Sequence, residues 1–335
     1  MRRKLMKIIF EVKSLTPIFI GSGEDSTVYY DSLIKGGRIY FVDLNKLAEY
    51  FINEPHNIVN PNVVSRIIGK IGLKNLSKYS LELQRPQNLK DPSKVKLFIK
   101  DAYGKPYIPG TSLKGSIRTA VLWKSAYQTD DLANILRNIG RINRRKPGDD
   151  KDLIRIFLRG KEDDPKYDIM KAVTVRDVKL RSYESFVMPI KIINIVKGKD
   201  LRFRVWIEAV FVKKAYIEIV IDEKLIRSNE LSFPENAKKA ILNLEGTIRE
   251  YSKFLLGKLG RIGNANSLID EANRTTLLYV GWGGGWNAMT GSLISERDKS
   301  ILFRNREFPV SRRLVYYNGN WVLPGWLRLR KIVTQ

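Results

Sequence analysis

Lys114 and Arg118 stand four residues apart in Tyr107-Ile-Pro-Gly-Thr-Ser-Leu-Lys-Gly-Ser-Ile-Arg-Thr-Ala-Val-Leu-Trp123, just after Gly110, Thr111 and Ser112. On a helix, two cations at that spacing share a face, and the backbone N–H groups and hydroxyls of a helix start beside them suit a phosphate. A helix is expected to begin here. Pro109-Gly110 ends what precedes, Thr111 and Ser112 are N-cap residue types, and Leu113, Ile117, Ala120 and Val121 recur at helical spacing, with the run continuing to about Arg137. Dipole logic favours acidic residues at such an end, yet no carboxylate lies between Gly110 and Ser125, which leaves the place for an anion from elsewhere. Gly110 and Gly115 remove side chains where a ligand backbone approaches. The lysine precedes the second glycine, so this is not the Gly-x-x-x-x-Gly-Lys-Ser/Thr nucleotide loop. The competing reading is an ordinary capped helix with solvated cations.

A second stretch, Gly281-Trp-Gly-Gly-Gly-Trp-Asn287, holds four glycines and two tryptophans in its first six positions. It reads as a loop, because glycine contributes no packing to a strand and costs backbone entropy there. Gly281, Gly283, Gly284 and Gly285 admit a close ligand backbone, and Trp282 and Trp286 either stack on bases or fill the base of the loop, with Asn287 following. The alternative is a purely structural glycine turn. Acidic residues offer a weaker case for chemistry. Glu162-Asp-Asp-Pro165 reads as a turn with no second cluster nearby to complete octahedral coordination, so no metal site is expected. There is no cysteine, and His56 is the single histidine, which excludes thiol catalysis, zinc-thiolate sites and any histidine pair or triad within one chain.

Charge narrows the partner. Lysine and arginine number 60 against 35 acidic residues, a formal charge of +25, and self-repulsion of that size is relieved by a polyanion, with nucleic acid the leading candidate. An anionic membrane competes less well, since no apolar run reaches the roughly 18–20 residues of a spanning helix and no lipidation motif is present. The basic start Met1-Arg-Arg-Lys runs into Ile8-Ile-Phe-Glu-Val-Lys, which alternates like a strand and not like a signal peptide, so a cytoplasmic protein is expected.

The elements that must position these stretches read as follows. Lys7–Ser14 is a strand, Leu15–Asp25 a loop, and Arg38–Asp43 a strand after which Asp43 caps a short helix over Leu44–Phe51. An insertion spans about 53–92, partly helical, with Val63, Ile67, Ile68 and Ile71 on one face, and Lys94–Lys100 is a strand. Arg137–Lys146 is basic and either grips RNA or forms a solvated loop. Val173–Tyr183, with a bulge near Asp177, Phe186–Val196, Leu201–Glu208 and Tyr216–Asp222 are further strands. Arg202, Arg204 and Trp206 share one face, which either binds single-stranded RNA or packs on another subunit. Asn236–Leu259 is one amphipathic helix, and Arg312–Tyr317, an Asn318-Gly319 turn and Trp321–Ile332 form a hairpin. The order implies an α+β fold of two tandem ferredoxin-like (RRM-like) domains, 1–185 with the insertion and 186–335 with the glycine-rich loop.

Lys105-Pro-Tyr-Ile-Pro-Gly-Thr-Ser-Leu-Lys-Gly-Ser-Ile-Arg118 resembles, almost without interruption, the PYIPGSSLKGxIR signature of the RAMP superfamily, the RNA-binding subunits of CRISPR effector complexes. Leu15-Thr-Pro-Ile-Phe-Ile-Gly-Ser-Gly looks like the family's opening strand and loop. Tyr30-Asp-Ser-Leu-Ile-Lys-Gly-Gly-Arg-Ile-Tyr-Phe-Val-Asp-Leu-Asn-Lys-Leu47 is similar to a segment of the fifth Csm subunits, the end-capping members of type III-A complexes. Gly281-Trp-Gly-Gly-Gly-Trp resembles the family's C-terminal glycine-rich loop, and Leu323-Pro-Gly-Trp-Leu-Arg-Leu the closing PLGWVKL of the fifth subunits with two positions exchanged. The family's glycine loop often continues with lysine and threonine; Met289-Thr290 supplies only the threonine.

The resemblance implies a non-catalytic subunit, without cofactor, that caps the backbone at the 3′ end of CRISPR RNA, touches target RNA as a further partner and supports guide maturation. It would dock on the repeated backbone subunit and the small helical subunit, and host nucleases would be recruited for trimming. Gly110, Thr111, Ser112, Lys114, Gly115 and Arg118 would hold RNA on one side and Gly281, Trp282, Gly283, Gly284, Gly285, Trp286 and Asn287 on the other. Related backbone subunits cut target RNA with a loop aspartate, and Glu24, Asp25 and Asp31 occupy the corresponding region, so a metal-dependent endoribonuclease is the rival reading. A generic RNA-binding scaffold outside CRISPR is the third.

Overall fold

The computed structural model describes residues 4–52, 60–129, 134–135, 151–161, 164–194, 199–259, 262–285, 288, 293 and 311–334. His56, the whole basic segment Arg137–Lys146, Glu162, Asp163, Trp286 and Asn287 lie outside them.

The N-terminal part contributes strands β1 (Leu5–Ser14), β2 (Gly21–Thr27), β3 (Ser32–Lys35) and β4 (Arg38–Val42), then helices α1 (Leu44–Glu49), α2 (Pro61–Ile71) and α3 (Leu73–Leu76). Strands β5 (Ser77–Leu83), β6 (Lys94–Phe98) and β7 (Tyr107–Ile108) lead into α4 (Gly110–Tyr127), followed by α5 (Lys151–Leu158), β8 (Val173–Val175) and β9 (Val178–Lys179). Then come β10 (Ser182–Asn194), β11 (Lys199–Asp222), α6 (Glu223–Ile226), α7 (Glu235–Leu242), α8 (Leu244–Leu259) and α9 (Ala265–Arg274). The last strands are β12 (Thr276–Tyr279), β13 (Ser311–Tyr317), β14 (Asn320–Val322) and β15 (Trp326–Thr334). The α+β expectation holds.

The two strands expected at 201–208 and 216–222 are one strand of 24 residues, because Ala209-Val-Phe-Val-Lys-Lys-Ala-Tyr216 offers no turn signal between them. Its first part, Lys199–Lys214, pairs antiparallel with β10, and its last, Ala215–Asp222, with β1. Beyond β1 the sheet continues to β15 and β12, and beyond β10 to β13 and to β5, which pairs with β10 in parallel and leads on through antiparallel pairings to β4 and β3. Residues 185 and 186 both lie inside β10, so strands from either side of that boundary share the sheet.

One face of this sheet carries the principal core, in which Phe10, Val12, Ile217 and Ile219 meet Leu113, Ile117 and Val121 of α4 and Ile248 and Leu255 of α8. The helix expected over Asn236–Leu259 breaks at Asn243 into α7 and α8, and its apolar face, Ala237, Ala240, Ile241, Leu244, Ile248, Tyr251 and Leu255, is buried. The opposite face of β11 near Trp206 is covered by a smaller core of Val28, Ile39, Phe41, Leu81 and Val95. Trp206 is therefore packed, not presented to solvent beside cations. Its neighbours on that strand are apolar on both sides, which is how a strand covered on both faces reads.

The insertion differs from expectation in supplying a strand, β5, to the main sheet, while Val63, Ile67, Ile68 and Ile71 do pack together against Val42, Leu47, Phe51 and Leu76. Asp43 caps α1 as read, accepting from the Asn45 and Lys46 N–H groups. The loop expected at 15–25 becomes strand from Gly21, paired with β6. Near Asp177 the chain does not bulge; it changes partner, from β11 at β8 to β7 at β9. Asn318 and Gly319 both have positive φ, +47° and +82°, as the two-residue hairpin turn requires, but the partner strand breaks after Val322, and β15 leaves to join β1.

Glu208 of β11 fastens the second layer. Its Oε2, nearly fully buried, accepts from Lys100 Nζ at 2.6 Å, the Phe98 N–H at 3.2 Å and the Tyr79 hydroxyl at 3.4 Å. Burial pushes its carboxyl upward and Lys100 opposes that shift. Glu208→Ala leaves the ammonium and the Phe98 N–H without their acceptor and is expected to cost about 3–5 kcal/mol in urea unfolding. The double replacement Glu208→Met with Lys100→Met is expected to recover most of that loss, since it removes both charges from the site.

Candidate nucleic-acid interface

Helix α4 begins at Gly110 with Pro109 in the N-cap position, and neither Thr111 nor Ser112 caps it. The cap comes from afar: the Gly110 N–H donates to Asp177 Oδ1 at 2.7 Å. The anion that the helix start calls for is thus partly the chain's own, a pairing invisible locally because 67 residues separate the two groups. The helix also ends earlier than expected, at Tyr127, with Gln128 closing it. Gly110 is required by packing, since a methyl there would strike the Val175 carbonyl.

The two cations part company. Arg118 binds Asp168, whose other oxygen accepts from the Met170 N–H at 2.9 Å and caps a short turn. Lys114 forms no ion pair among the described residues, and burial, aided by the Arg118 charge and opposed by Asp168, pushes its ammonium below its ordinary pKa. A partly desolvated cation without a carboxylate partner is a poor stabiliser of the fold and a good receptor for an anion.

Between them and the other face of the helix runs an exposed strip at Thr111 and Gly115. At Gly115 an added Cβ would meet nothing within 4 Å, so nothing in the chain's own packing demands glycine, which costs about 1 kcal/mol relative to alanine inside a helix. Gly69 and Gly257 are equally open, but neither lines a cleft with the other glycine stretch.

Past Gly115 the helix turns Ser112, Ser116 and Thr119 into a cleft of about 440 Å³. Gly281 and Trp282 form part of its opposite wall, together with Ile20 and Gly21. The Ser116 and Thr119 hydroxyls donate to the Ser112 and Gly115 carbonyls, at 3.2 and 3.0 Å, so toward the cleft they offer acceptor lone pairs. Tyr251, Leu255, Leu278 and Trp326 complete an apolar floor.

The glycine loop owes most of its glycines to its own fold. Gly281 (φ +87°) lies against the Phe19 carbonyl, which also accepts from the Trp282 N–H at 2.8 Å. Gly283 (φ +144°) lies against Pro324, and Gly284 against Ala288 and the Tyr279 ring, its N–H donating to the Tyr279 hydroxyl. The backbone that closely approaches Gly281 is therefore the chain's own. Gly285 (φ +65°) needs glycine for its left-handed conformation. Trp282 meets the edge of Phe19 with centroids 5.9 Å apart, and the Arg313 guanidinium sits 4.5 Å over its ring centroid. Sequence reading missed Asp168, Asp177 and Arg313; the one available signal was a cation in phase with buried Val315 on a short strand.

Of the three carboxylates singled out for chemistry, those of Asp31 and Asp25 are engaged locally. Asp31 accepts from Ser26 Oγ at 2.6 Å and the Thr27 N–H at 2.7 Å, as a turn aspartate does. Asp25 lies between Lys94 and Lys96, at 2.9 and 3.3 Å, which hold its carboxyl below the usual range. The Glu24 N–H donates to Ser22 Oγ. Asp164 caps the short turn Pro165–Tyr167 that follows it. Among the described residues no three acidic or histidine side chains converge as metal ligands.

A model of the RAMP superfamily matches residues 11–293. A Streptococcus thermophilus protein named CRISPR system Cms protein Csm5 is 33% identical over 187 residues, an alignment spanning 50% of this chain and 50% of that protein's length. A protein of the same name from Methanocaldococcus jannaschii is 25% identical over 388 residues, spanning 96% of this chain and 89% of that one. Among solved structures, a chain of a Csm-crRNA-target RNA ternary complex of a type III-A CRISPR-Cas system, seen by cryo-EM, superposes with a TM-score of 0.71 at 25% identity, covering 96% of this chain and 100% of that chain. The crystal structure of T. onnurineus Csm5 superposes with a TM-score of 0.67 at 23% identity, covering 95% and 99%, a likeness of fold. The likeness to fifth Csm subunits read from the sequence is matched by these names.

The two helical glycines are expected to behave oppositely. Gly110→Ala is expected to lose about 1–3 kcal/mol through overpacking against Val175. Gly115→Ala is expected to gain roughly 0.5–1 kcal/mol. Thermal or urea unfolding of the two variants beside the wild type checks both signs.

Proposed function

The chain belongs to the RAMP superfamily, and from that premise we propose that it is a non-catalytic RNA-binding subunit of a type III-A CRISPR (Csm) effector complex. In this reading it caps the backbone at the 3′ end of CRISPR RNA, supports guide maturation and docks on the repeated backbone subunit, with target RNA as a further contact. Two ferredoxin-like halves, 1–185 and 186–335, and a cytoplasmic location belong to the same proposal. No described helix is long and apolar enough to cross a membrane.

One observation carries the reading: two glycine-bearing stretches far apart in sequence face each other across one cleft, and the rim between the unpaired Lys114 and that cleft is Gly115, a glycine the fold does not need. A ribose-phosphate chain crossing α4 at Gly115 would set a phosphate toward Lys114 while a base turns toward the cleft. The net charge of +25 favours the same class of ligand at long range. The endoribonuclease alternative rests on Glu24, Asp25 and Asp31, and the local engagement of Asp25 and Asp31 gives it no support.

Lys114→Ala is expected to weaken binding of a single-stranded oligoribonucleotide and to lower the slope of log affinity against log salt by about 0.7, the value for one phosphate contact. Gly115→Leu is expected to reduce binding strongly while leaving the melting temperature at or above that of the wild type. Wild-type affinity in a folded Gly115→Leu protein would refute this path for the RNA.

A further inference from the structure

Arg313 is, like Lys114, a partly desolvated cation without an acidic partner among the described residues. It projects from β13, half-buried, with its Nε enclosed and lacking any hydrogen-bond partner, and among the described residues it forms no salt bridge. What holds it is the ring of Trp282, over which the guanidinium lies 4.5 Å from the centroid. Trp282 is itself fixed by its N–H to the Phe19 carbonyl and by the edge of the Phe19 ring, and it lines the cleft that α4 closes on the other side. A guanidinium held over an indole face by the ring's attraction can still direct its terminal N–H donors to a bidentate acceptor, a pairing that suits phosphate.

We propose that Arg313, lying over Trp282, is the phosphate-binding cation of the glycine loop and holds a phosphodiester of single-stranded RNA beside the stretch of cleft wall that Trp282 lines. The inference rests on the RNA-binding reading above and adds to it a residue and a site. Burial pushes the Arg313 guanidinium below its ordinary pKa, as expected of a charge awaiting its counter-ion. An acidic segment of a neighbouring protein is the other class of anion that fits Arg313 alone; the adjoining cleft, with Trp282 on one wall and the bare Gly115 on the other, favours RNA.

The test compares the full-length wild type with Arg313→Gln, Arg313→Lys and Lys114→Ala, using a uridine 20-mer as probe across a salt series, with a thermal melt of each protein. Arg313→Gln is expected to bind several-fold more weakly at moderate salt, with the log–log slope reduced by about 0.7 and the melting temperature unchanged or raised. Arg313→Lys, which keeps the charge and loses the planar guanidinium, is expected to retain the slope and bind more weakly. An unchanged slope in Arg313→Gln beside a reduced one in Lys114→Ala overturns the Arg313 assignment and leaves the RNA reading standing. Unchanged slopes in both overturn the two together. Should Arg313→Gln fail to fold, photocrosslinking of the wild type to a 4-thiouridine 20-mer decides: adducts at Trp282 or within β13 support the assignment, and adducts confined to α4 overturn it. Retained RNA affinity with lost binding to a Csm partner protein also overturns it, in favour of an acidic protein segment.

Discussion

The long ladder of β11 is the constraint from which the rest of the structure follows. A strand of 24 residues that pairs with β10 along its first part and β1 along its last joins the strands on either side of it into one sheet. Because side chains alternate faces, a slip of one residue anywhere along it would exchange its whole buried set for its exposed one. The principal core then seats α4 and α8 on one face, and the layer built from β3, β4 and β5 caps the other. Both glycine stretches are positioned by that arrangement, since β12 and α4 each pack on strands tied to β11 through β1.

Electrostatics in this chain is a matter of which cations the fold uses up. Asp168 and Asp177, neither inside the α4 segment, take Arg118 and the Gly110 N–H respectively, and Asp25 takes two lysines of β6. Lys114 and Arg313 are left partly buried without carboxylates among the described residues. Desolvating a charge without pairing it costs stability, so cations kept in that state are placed for something outside the chain. Lys114 adjoins Gly115, and Arg313 lies over Trp282, and both Gly115 and Trp282 line the cleft. That is more informative than the total of +25, which says only that polyanions are attracted.

Glycine serves two purposes here, and geometry separates them. Gly110, Gly281, Gly283 and Gly284 sit where the chain's own atoms leave no room for a side chain. Gly115 sits in open space on a helix, where alanine would be the better helix former. Of the open helical glycines, only Gly115 borders the cleft, and it lies beside Lys114.

By itself the sequence determined the local elements: a helix opening at Gly110 behind Pro109, the Asp43 cap, the Asn318-Gly319 turn, the apolar face of α7 and α8, the α+β class and the RAMP signature. These are legible because periodicity, capping and turn chemistry act within a few residues. Tertiary structure alone decided that two expected strands are one, that Trp206 is core, that the insertion feeds a strand to the sheet, and that Asp177 rather than Thr111 or Ser112 caps α4. It alone decided which cations remain unpaired and that Gly115 and Trp282 border the same cleft. The reason is physical: a charge finds its partner, and a glycine its neighbour, through contacts between residues far apart along the chain, and no local pattern encodes who those neighbours are.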